Sequence, residues 1–375
     1  MSNPGIFRPS LVALSVSLLV LPLAARAQTA EIYLPVLVPV TGFLALEGTS
    51  QRNGALLAVK NAPASVKVRA EVSDTGASPE GATTALERSL GRGKVTAVAA
   101  SMLGPQMLAM LPIALENKVP LVTVSGTASI TEKNNPYVFR FFPGDAVAKA
   151  AHVRYVLEDL KKKRVALVYQ TTAYGQSGHE HIAALLKKAN IAPVMEEALD
   201  VTVKDMSAVI GKVQAAKPDV IMLHLHGGPS ALFLKQAAAA RLNLPIVAGS
   251  GLAQPSTAAL LEPAELQGVC AETNAAPVAG GSSEMDKFLT QYRAEFKSEP
   301  DGFAVGQYDA TAMLIDAATK GARTAEDMRK ALAENKYKGL AMTYKSDGKG
   351  NMAHSAMIIC YDGASRTPKI VKRYE

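Results

Sequence analysis

The sequence predicts an α/β fold built as two lobes of mostly parallel sheet. Three observations carry this. Short apolar runs alternate with helical stretches along nearly the whole chain. Those runs lack the polar alternation of a sheet with one wet face, so both faces are expected to be covered. There are roughly nine strand–helix units, more than one compact open sheet holds.

The units follow one another in order. An apolar strand over 32–38 leads through the Thr41-Gly42 turn to a helix over 48–62. A strand at 66–72 precedes a helix at 79–90, opened by Pro79, which suits a first helical position. Strand 95–100, helix 105–117 and strand 119–124 come next. Beyond them lie helix 146–160, strand 164–169, helix 175–189, strand 193–199 and helix 206–216. Strand 220–224, helix 230–241 and strand 245–248 extend the pattern. Two helices show their period directly. Val153, Val156, Leu157 and Leu160 recur at i, i+3, i+4 and i+7, as do Met206, Val209, Ile210 and Val213.

Composition narrows the function. Of 375 residues, 48% are apolar and 19% charged, which excludes a disordered chain. The formal charge is +7, but the basic residues are dispersed. The densest run, Lys161-Lys162-Lys163-Arg164, reads as a solvated helix end, so no nucleic-acid partner is expected. Two cysteines exclude a disulfide scaffold and a multi-Cys metal module. No G-x-G-x-x-G follows a strand and no Walker loop is present, so no nucleotide cofactor is expected.

The first 27 residues read as an address. Arg8, an apolar run over 11–23 and Ala25-Arg26-Ala27 form a secretory signal, with cleavage after Ala27. Removing Arg8 and Arg26 leaves a formal charge of +5. Residues 95–115 carry no charge, but Gly104-Pro105 and Pro112 fit a strand, a turn and a helix better than one membrane span. The mature protein is expected in an oxidising periplasm. Cys270 and Cys360 there form one bridge or stay as two buried thiols; the sequence leaves both open.

Catalytic patterns are thin. His226-Gly227-Gly228 faintly matches an oxyanion loop, but Gly249-Ser250-Gly251 has Ala248 where an esterase elbow needs its first glycine. His179 and His181, two apart on a helix, point to different faces and read as surface residues. His224 and His226 share a face at a strand end, where they suit a metal or, with no third ligand near, line a cleft as hydrogen-bond donors. His152 and His354 have no identifiable partner. Position is more telling. Ligands of open α/β sheets sit beyond the strands' carboxyl ends, where helix N-termini favour anions. Ser125-Gly126-Thr127-Ala128-Ser129 follows a strand in that way, although helix capping alone also explains its hydroxyls.

Several segments together resemble the periplasmic solute-binding proteins of the leucine/isoleucine/valine-binding type, which serve ABC importers. They are Pro39-Val40-Thr41-Gly42-Phe43-Leu44-Ala45 with Gly48 and Gly54, and Asp74 with Pro79 and Ala82. Pro112-Ile113-Ala114-Leu115-Glu116-Asn117-Lys118-Val119-Pro120 runs into the Ser125 loop, and Phe139-Arg140 precedes Pro143 and Asp145. Ala173-Tyr174-Gly175, Tyr308-Asp309-Ala310, Asp347-Gly348 and Asp362-Gly363 complete the set, which covers nearly all the mature chain.

The resemblance implies two Rossmann-like lobes joined by a three-segment hinge, crossing near 139–145, 270–277 and 340–345. The first lobe is then 28–140 plus 275–340, and the second 141–274 plus 341–375. It implies a monomer that closes on a small carboxylate (an aliphatic amino acid, or an aromatic or keto acid) and docks on an inner-membrane permease. It implies no catalysis, no cofactor and no metal. By position, Ser125 and Thr127 fall where the family holds the ligand carboxylate, and Leu103-Gly104 matches the other carboxylate-side loop. Tyr174 matches a cleft-wall aromatic, and His226 falls where a tyrosine often sits. Glu47 and Phe303 are expected neighbours of the ligand's side chain. Ser250 stands where amino-acid-binding members carry an acid for the ammonium. Either Glu47 supplies that charge, or the ligand has no ammonium and His226 helps to neutralise its carboxylate. A periplasmic sensor would use the same cleft, and an esterase-like enzyme would use Ser250 or His226. A repressor with these lobes is disfavoured by the export signal.

Overall fold

The computed structural model describes residues 1, 2, 5, 30–278 and 280–375. The signal segment therefore lies almost wholly outside the described residues. The first sheet gathers β1 (Ala30–Val38), β2 (Val66–Asp74), β3 (Val98–Ala99), β4 (Leu121–Thr123) and β5 (Val138–Arg140). They pair in the order β2-β1-β3-β4-β5, all parallel. The helices between them are α1 (Ala45–Lys60), α2 (Pro79–Gly91), α3 (Gly104–Asn117) and the short α4 (Ser129–Glu132). Ser78 caps α2 by accepting the Gly81 N–H, so the start read from Pro79 coincides with a satisfied cap.

The chain then passes to the second sheet through α5 (Asp145–Arg154) and a π-helical turn, Tyr155–Asp159. That turn interrupts what the periodicity predicted as one helix over 146–160. The sheet is built from β6 (Val165–Gln170), β7 (Met195–Leu199), β8 (Val220–His224), β9 (Ile246–Ala248) and β10 (Val269–Thr273). Between them run α6 (Ala173–Lys188), α7 (Ser207–Ala216), α8 (Gly227–Ala239) and α9 (Pro255–Ala258). β6, β8, β9 and β10 are buried nearly throughout, which explains their unbroken apolar sequences. The edge strand β7 alternates half-buried and exposed residues.

The chain returns to the first lobe for α10 (Ser283–Phe296), α11 (Gly302–Thr319), α12 (Ala325–Glu334) and the hairpin β11 (Tyr337–Lys338) with β12 (Thr343–Tyr344). Helix α11 packs on α1 so closely that a Cβ at Gly54 would lie 2.1 Å from the Ala304 carbonyl oxygen. Only glycine permits that approach. Finally β13 (Ala356–Cys360) and β14 (Lys369–Tyr374) join the second sheet antiparallel, giving the order β14-β13-β10-β9-β8-β6-β7. The architecture is the two-lobed, largely parallel α/β fold expected.

The third crossing differs from the expected 340–345. Tyr344, Met352 and Ala353 sit in the first lobe's core with Phe139 and Phe141. Residue Asn351 bridges to Arg140 beside β5. Ala356 and Ile358 belong to the second lobe's core. The chain thus changes lobes between 353 and 356, and the hydrogen bonds alongside β5 are what hold the intervening segment back. Cys270 and Cys360 face each other across β10 and β13 and are disulfide-bonded, so of the two states left open the bridge is the one formed. Among the described residues no helix is long and apolar enough to cross a membrane.

Candidate functional site

A small cavity lies between the lobes. Every residue around it sits where a strand ends or a helix begins. From the first lobe, Leu44 and Glu47 enter at the start of α1, Met102 precedes α3, Val124 follows β4, and Phe303 opens α11. From the second, Tyr174 comes from the first turn of α6, His226 from the N-cap of α8, and Ser250 and Gln254 from the stretch between β9 and α9. The first lobe contributes mostly apolar surface and the second mostly hydrogen-bonding groups.

Five of the nine residues singled out from the sequence line this cavity: Glu47, Tyr174, His226, Ser250 and Phe303. Ser125 and Thr127 lie in the loop that contributes Val124 and Gly126. Both are about 1% exposed, and the Oγ of Ser125 and Oγ1 of Thr127 have no hydrogen-bond partner. Leu103 and Gly104 stand behind Thr127. A Cβ at Gly104 would meet Thr127 Oγ1 at 2.3 Å, and the Leu103 N–H is already given to Ser101 Oγ. Their neighbour Met102 is the residue that reaches the cavity.

The Ser125–Thr127 loop is shaped from beneath by Arg140. Its guanidinium donates to the carbonyls of Gly126, Thr127 and Ala128 at 2.8, 3.0 and 3.1 Å. Arg140 is 1% exposed, and burial lowers its pKa to about 10, so it stays charged at neutral pH. With three consecutive carbonyls tied down, the loop has little freedom to turn its hydroxyls elsewhere. Sequence reasoning missed this residue, although a lone arginine inside Tyr137-Val138-Phe139-Arg140-Phe141-Phe142 was a signal, because a buried charge demands partners. Gln254 was missed too. It stands at the start of α9 just ahead of Pro255, without a capping hydrogen bond, and nothing in a single glutamine marks it out.

The lobes touch around the cavity. The Gly227 N–H at the start of α8 donates to Glu47 Oε1 at 3.1 Å, and the Ala128 N–H donates to Ser177 Oγ at 3.1 Å. The Phe43 and His226 rings lie 5.4 Å apart across the divide. This is a closed arrangement. Glu47 is 2% exposed, and burial raises its pKa to about 7. Its own N–H and that of Gly227 offset part of the rise, Asp301 adds to it, and the Gln254 amide tempers it without reaching hydrogen-bond geometry.

The histidines take defined places. His226 is held to a pKa of about 4 by burial, so at neutral pH it offers the cavity a hydrogen bond and no charge. His224 lies beneath Tyr174: its Nε2 is 3.1 Å from the Tyr174 carbonyl, and the two rings are 4.1 Å apart. Tyr174 also packs on His226 at 4.9 Å, so it separates the pair that was considered for a metal. Among the described residues no group of three or more His, Cys, Asp or Glu is placed to hold a metal ion. His152, without a partner in the sequence reading, sits 3.1 Å from Glu272 through Nδ1. His179 is partly buried and stacks on Tyr169 at 4.0 Å, so it is less of a surface residue than expected. His354 Nε2 meets the Lys345 carbonyl.

No nucleophile–base pair forms from the residues considered for an esterase. The Ser250 Oγ lies 3.4 Å from the Tyr174 hydroxyl, while His226 Nε2 lies 3.4 Å from Thr172 Oγ1. Serine and histidine are thus each turned to a different partner, and the relay that hydrolysis needs is not assembled.

Comparison with known proteins agrees with this geometry. The family described as "Periplasmic binding protein" matches residues 31–361. The Leu/Ile/Val-binding protein BraC3 of Rhizobium johnstonii is 30% identical over 232 residues, covering 60% of this chain and 62% of that protein. A Brucella melitensis Leu/Ile/Val-binding protein homologue is 26% identical, over 63% of its own length. The matches to these two relatives thus span less than two thirds of their length. An amino acid binding protein of Pseudomonas aeruginosa is 26% identical over 84% of this chain and 85% of its own. Among solved structures, a leucine-binding protein of Thermotoga maritima superposes with a TM-score of 0.82 at 22% identity, covering 91% of this chain and 98% of that one. A solute-binding protein of an ABC transporter from Rhodopseudomonas palustris, solved with 3,4-dihydroxybenzoic acid, gives 0.82 at 21% identity over 92% and 97%. These structural likenesses bear on the fold. The family and the similar structures are solute-binding proteins rather than enzymes.

Proposed function

The chain belongs to the periplasmic binding protein family, and on that premise we propose that it captures a small carboxylate between its lobes and delivers it to an ABC permease in the inner membrane. The ligand is an amino acid or a related aromatic or keto acid. The protein is exported, loses its first 27 residues after Ala27, and works as a monomer in the periplasm. Its lobes comprise 28–142 with 275–353, and 143–274 with 356–375.

One observation carries the reading. Two buried hydroxyls, Ser125 Oγ and Thr127 Oγ1, have no partner within the protein, on a loop that Arg140 clamps beside the cleft. Leaving a buried donor unpaired costs roughly 1–3 kcal/mol. Two on one loop are accounted for by an anionic acceptor that arrives with the ligand. Tyr174, His226 and Ser250 would complete the polar wall, with Glu47 and Phe303 on the opposite lobe and the Leu103-Gly104 turn supporting Thr127. Relatives point to the same class: similar structures were solved with isoleucine and with benzoate.

A thermal-shift screen of the mature protein tests this. Aliphatic amino acids, their keto acids and benzoate-type acids should include members that raise the melting temperature, because a ligand bound only by the folded state stabilises it. Removing both hydroxyls, by Ser125→Ala with Thr127→Ala, should weaken the best of them at least tenfold, equivalent to ~1.4 kcal/mol. Unchanged affinity by calorimetry would put the carboxylate elsewhere.

A further inference from the structure

Gln254 is not used by the reading above. It is 1% exposed, lines the cavity, and its Nε2 has no hydrogen-bond partner. Its Oε1 accepts from the Ser256 hydroxyl at 3.4 Å, and its amide N–H donors face the Glu47 carboxyl without completing a hydrogen bond. Gln254 stands beside Glu47, the carboxyl that meets the Gly227 N–H from across the cleft.

The position of this pair matters. In the first sheet β1 and β4 are separated by β3. The α1 entry that bears Glu47 is therefore about two strand spacings, roughly 10 Å, from the Ser125–Thr127 loop after β4. In the second lobe the same separation recurs, since Tyr174 follows β6 and Gln254 follows β9, with β8 between. Tyr174 stands against Gly126, whose Cβ would meet its ring at 3.6 Å. The cleft thus has one polar end at Ser125–Thr127 and a second at Glu47 and Gln254, with the Tyr174 ring running from Gly126 to the Ser250 hydroxyl. Apolar residues Leu44, Met102, Val124 and Phe303 also line it.

We infer that Gln254 sets the chemical class of the ligand: the acid bound here carries an oxygen acceptor, as a hydroxyl or carboxamide, at the end remote from its carboxylate. This rests on the reading of the cleft as a carboxylate site. The oxygen takes the free Gln254 N–H, and a hydroxyl or amide hydrogen is given to Glu47. A purely aliphatic or unsubstituted aromatic acid leaves the Gln254 amide buried and unpaired, and sites built to bond a polar group reject the analogue that lacks it.

The test is calorimetry on the mature protein with matched acids: valine against threonine, leucine against asparagine, and benzoate against 4-hydroxybenzoate. At least one polar member should bind tenfold or more tightly than its plain partner. Gln254→Leu should bring that ratio within threefold by weakening the polar member alone, and Gln254→Met serves if the leucine variant does not fold. Plain acids that bind wild type as tightly as their polar partners overturn the proposal while leaving the carboxylate site intact. So does a preference that survives in the variant. If no acid of either kind binds, the carboxylate reading falls and the proposal with it.

Discussion

Glu47 sits buried between two jaws, and its burial and hydrogen bonds pull its ionisation in opposite directions. Burial dominates, and its folded-state pKa rises to about 7. The folded protein therefore holds this proton more tightly than the unfolded chain, and stability falls as pH rises through that value. Asp145, Asp301 and Asp309, each raised to about 6 by burial, act with the same sign at lower pH. His224 and His226, lowered by burial, act with the opposite sign, from about a unit above their unfolded value of 6.5 downward. Between pH 6.5 and 8 these contributions overlap, so that of Glu47 is read as the difference between wild type and Glu47→Gln. Denaturant melts should show stability falling more with rising pH in wild type than in Glu47→Gln; the same pH dependence in both would mean that Glu47 is not the titrating group. Residues of this kind were legible only in part. Ser125, Thr127, Glu47 and Tyr174 could be picked out because they follow predicted strands at family positions. Arg140 reaches back across a strand to carbonyls 12–14 residues earlier, and Gln254 stands beside Glu47 of the other lobe; a single chain does not disclose either approach.

At the scale of elements, α5 and β10 meet through a buried charge cluster beside two of the hinge crossings. Lys149 and Glu272 are ion-paired, His152 Nδ1 lies 3.1 Å from Glu272, and Asp145 is 3.9 Å from Lys149. Burial pushes Glu272 up, but the Lys149 charge and the His152 hydrogen bond outweigh it and hold the carboxyl near a pKa of about 2. The stability this pair brings is present above the usual glutamate range and is lost as pH falls toward 2. Lys149→Met leaves Glu272 uncompensated and should cost about 3–5 kcal/mol in chemical denaturation. A variant within 1 kcal/mol of wild type would show that the cluster is not holding α5 on the sheet. The order of strands and helices was readable from apolar runs and 3.6-residue spacing. Element ends were less so: the π-turn at 155–159 and the short β3 at 98–99 are set by packing between neighbours, which local sequence does not encode.

At the scale of the molecule, the second lobe is closed on itself by the Cys270–Cys360 bridge, which spans 90 residues. Such a loop restricts the unfolded chain by roughly 4–5 kcal/mol in the chain-entropy account. Reduction, or the double serine variant, should lower the urea midpoint accordingly; an unchanged midpoint would assign the bridge no stabilising role. The sequence left this pairing open because only the antiparallel register of β10 and β13 brings the cysteines together. The lobes themselves meet through few groups, chiefly Glu47 with Gly227, Ala128 with Ser177, and Phe43 with His226. Closure that depends on so few contacts is readily biased by a solute that touches both sides. The most direct measurement is small-angle scattering of the mature protein, alone and saturated with whichever acid of the thermal-shift panel raises its melting temperature most. A smaller radius of gyration with that acid, lost in the Ser125→Ala, Thr127→Ala variant, is the predicted result; superimposable curves from wild type with the acid demonstrably bound would contradict it.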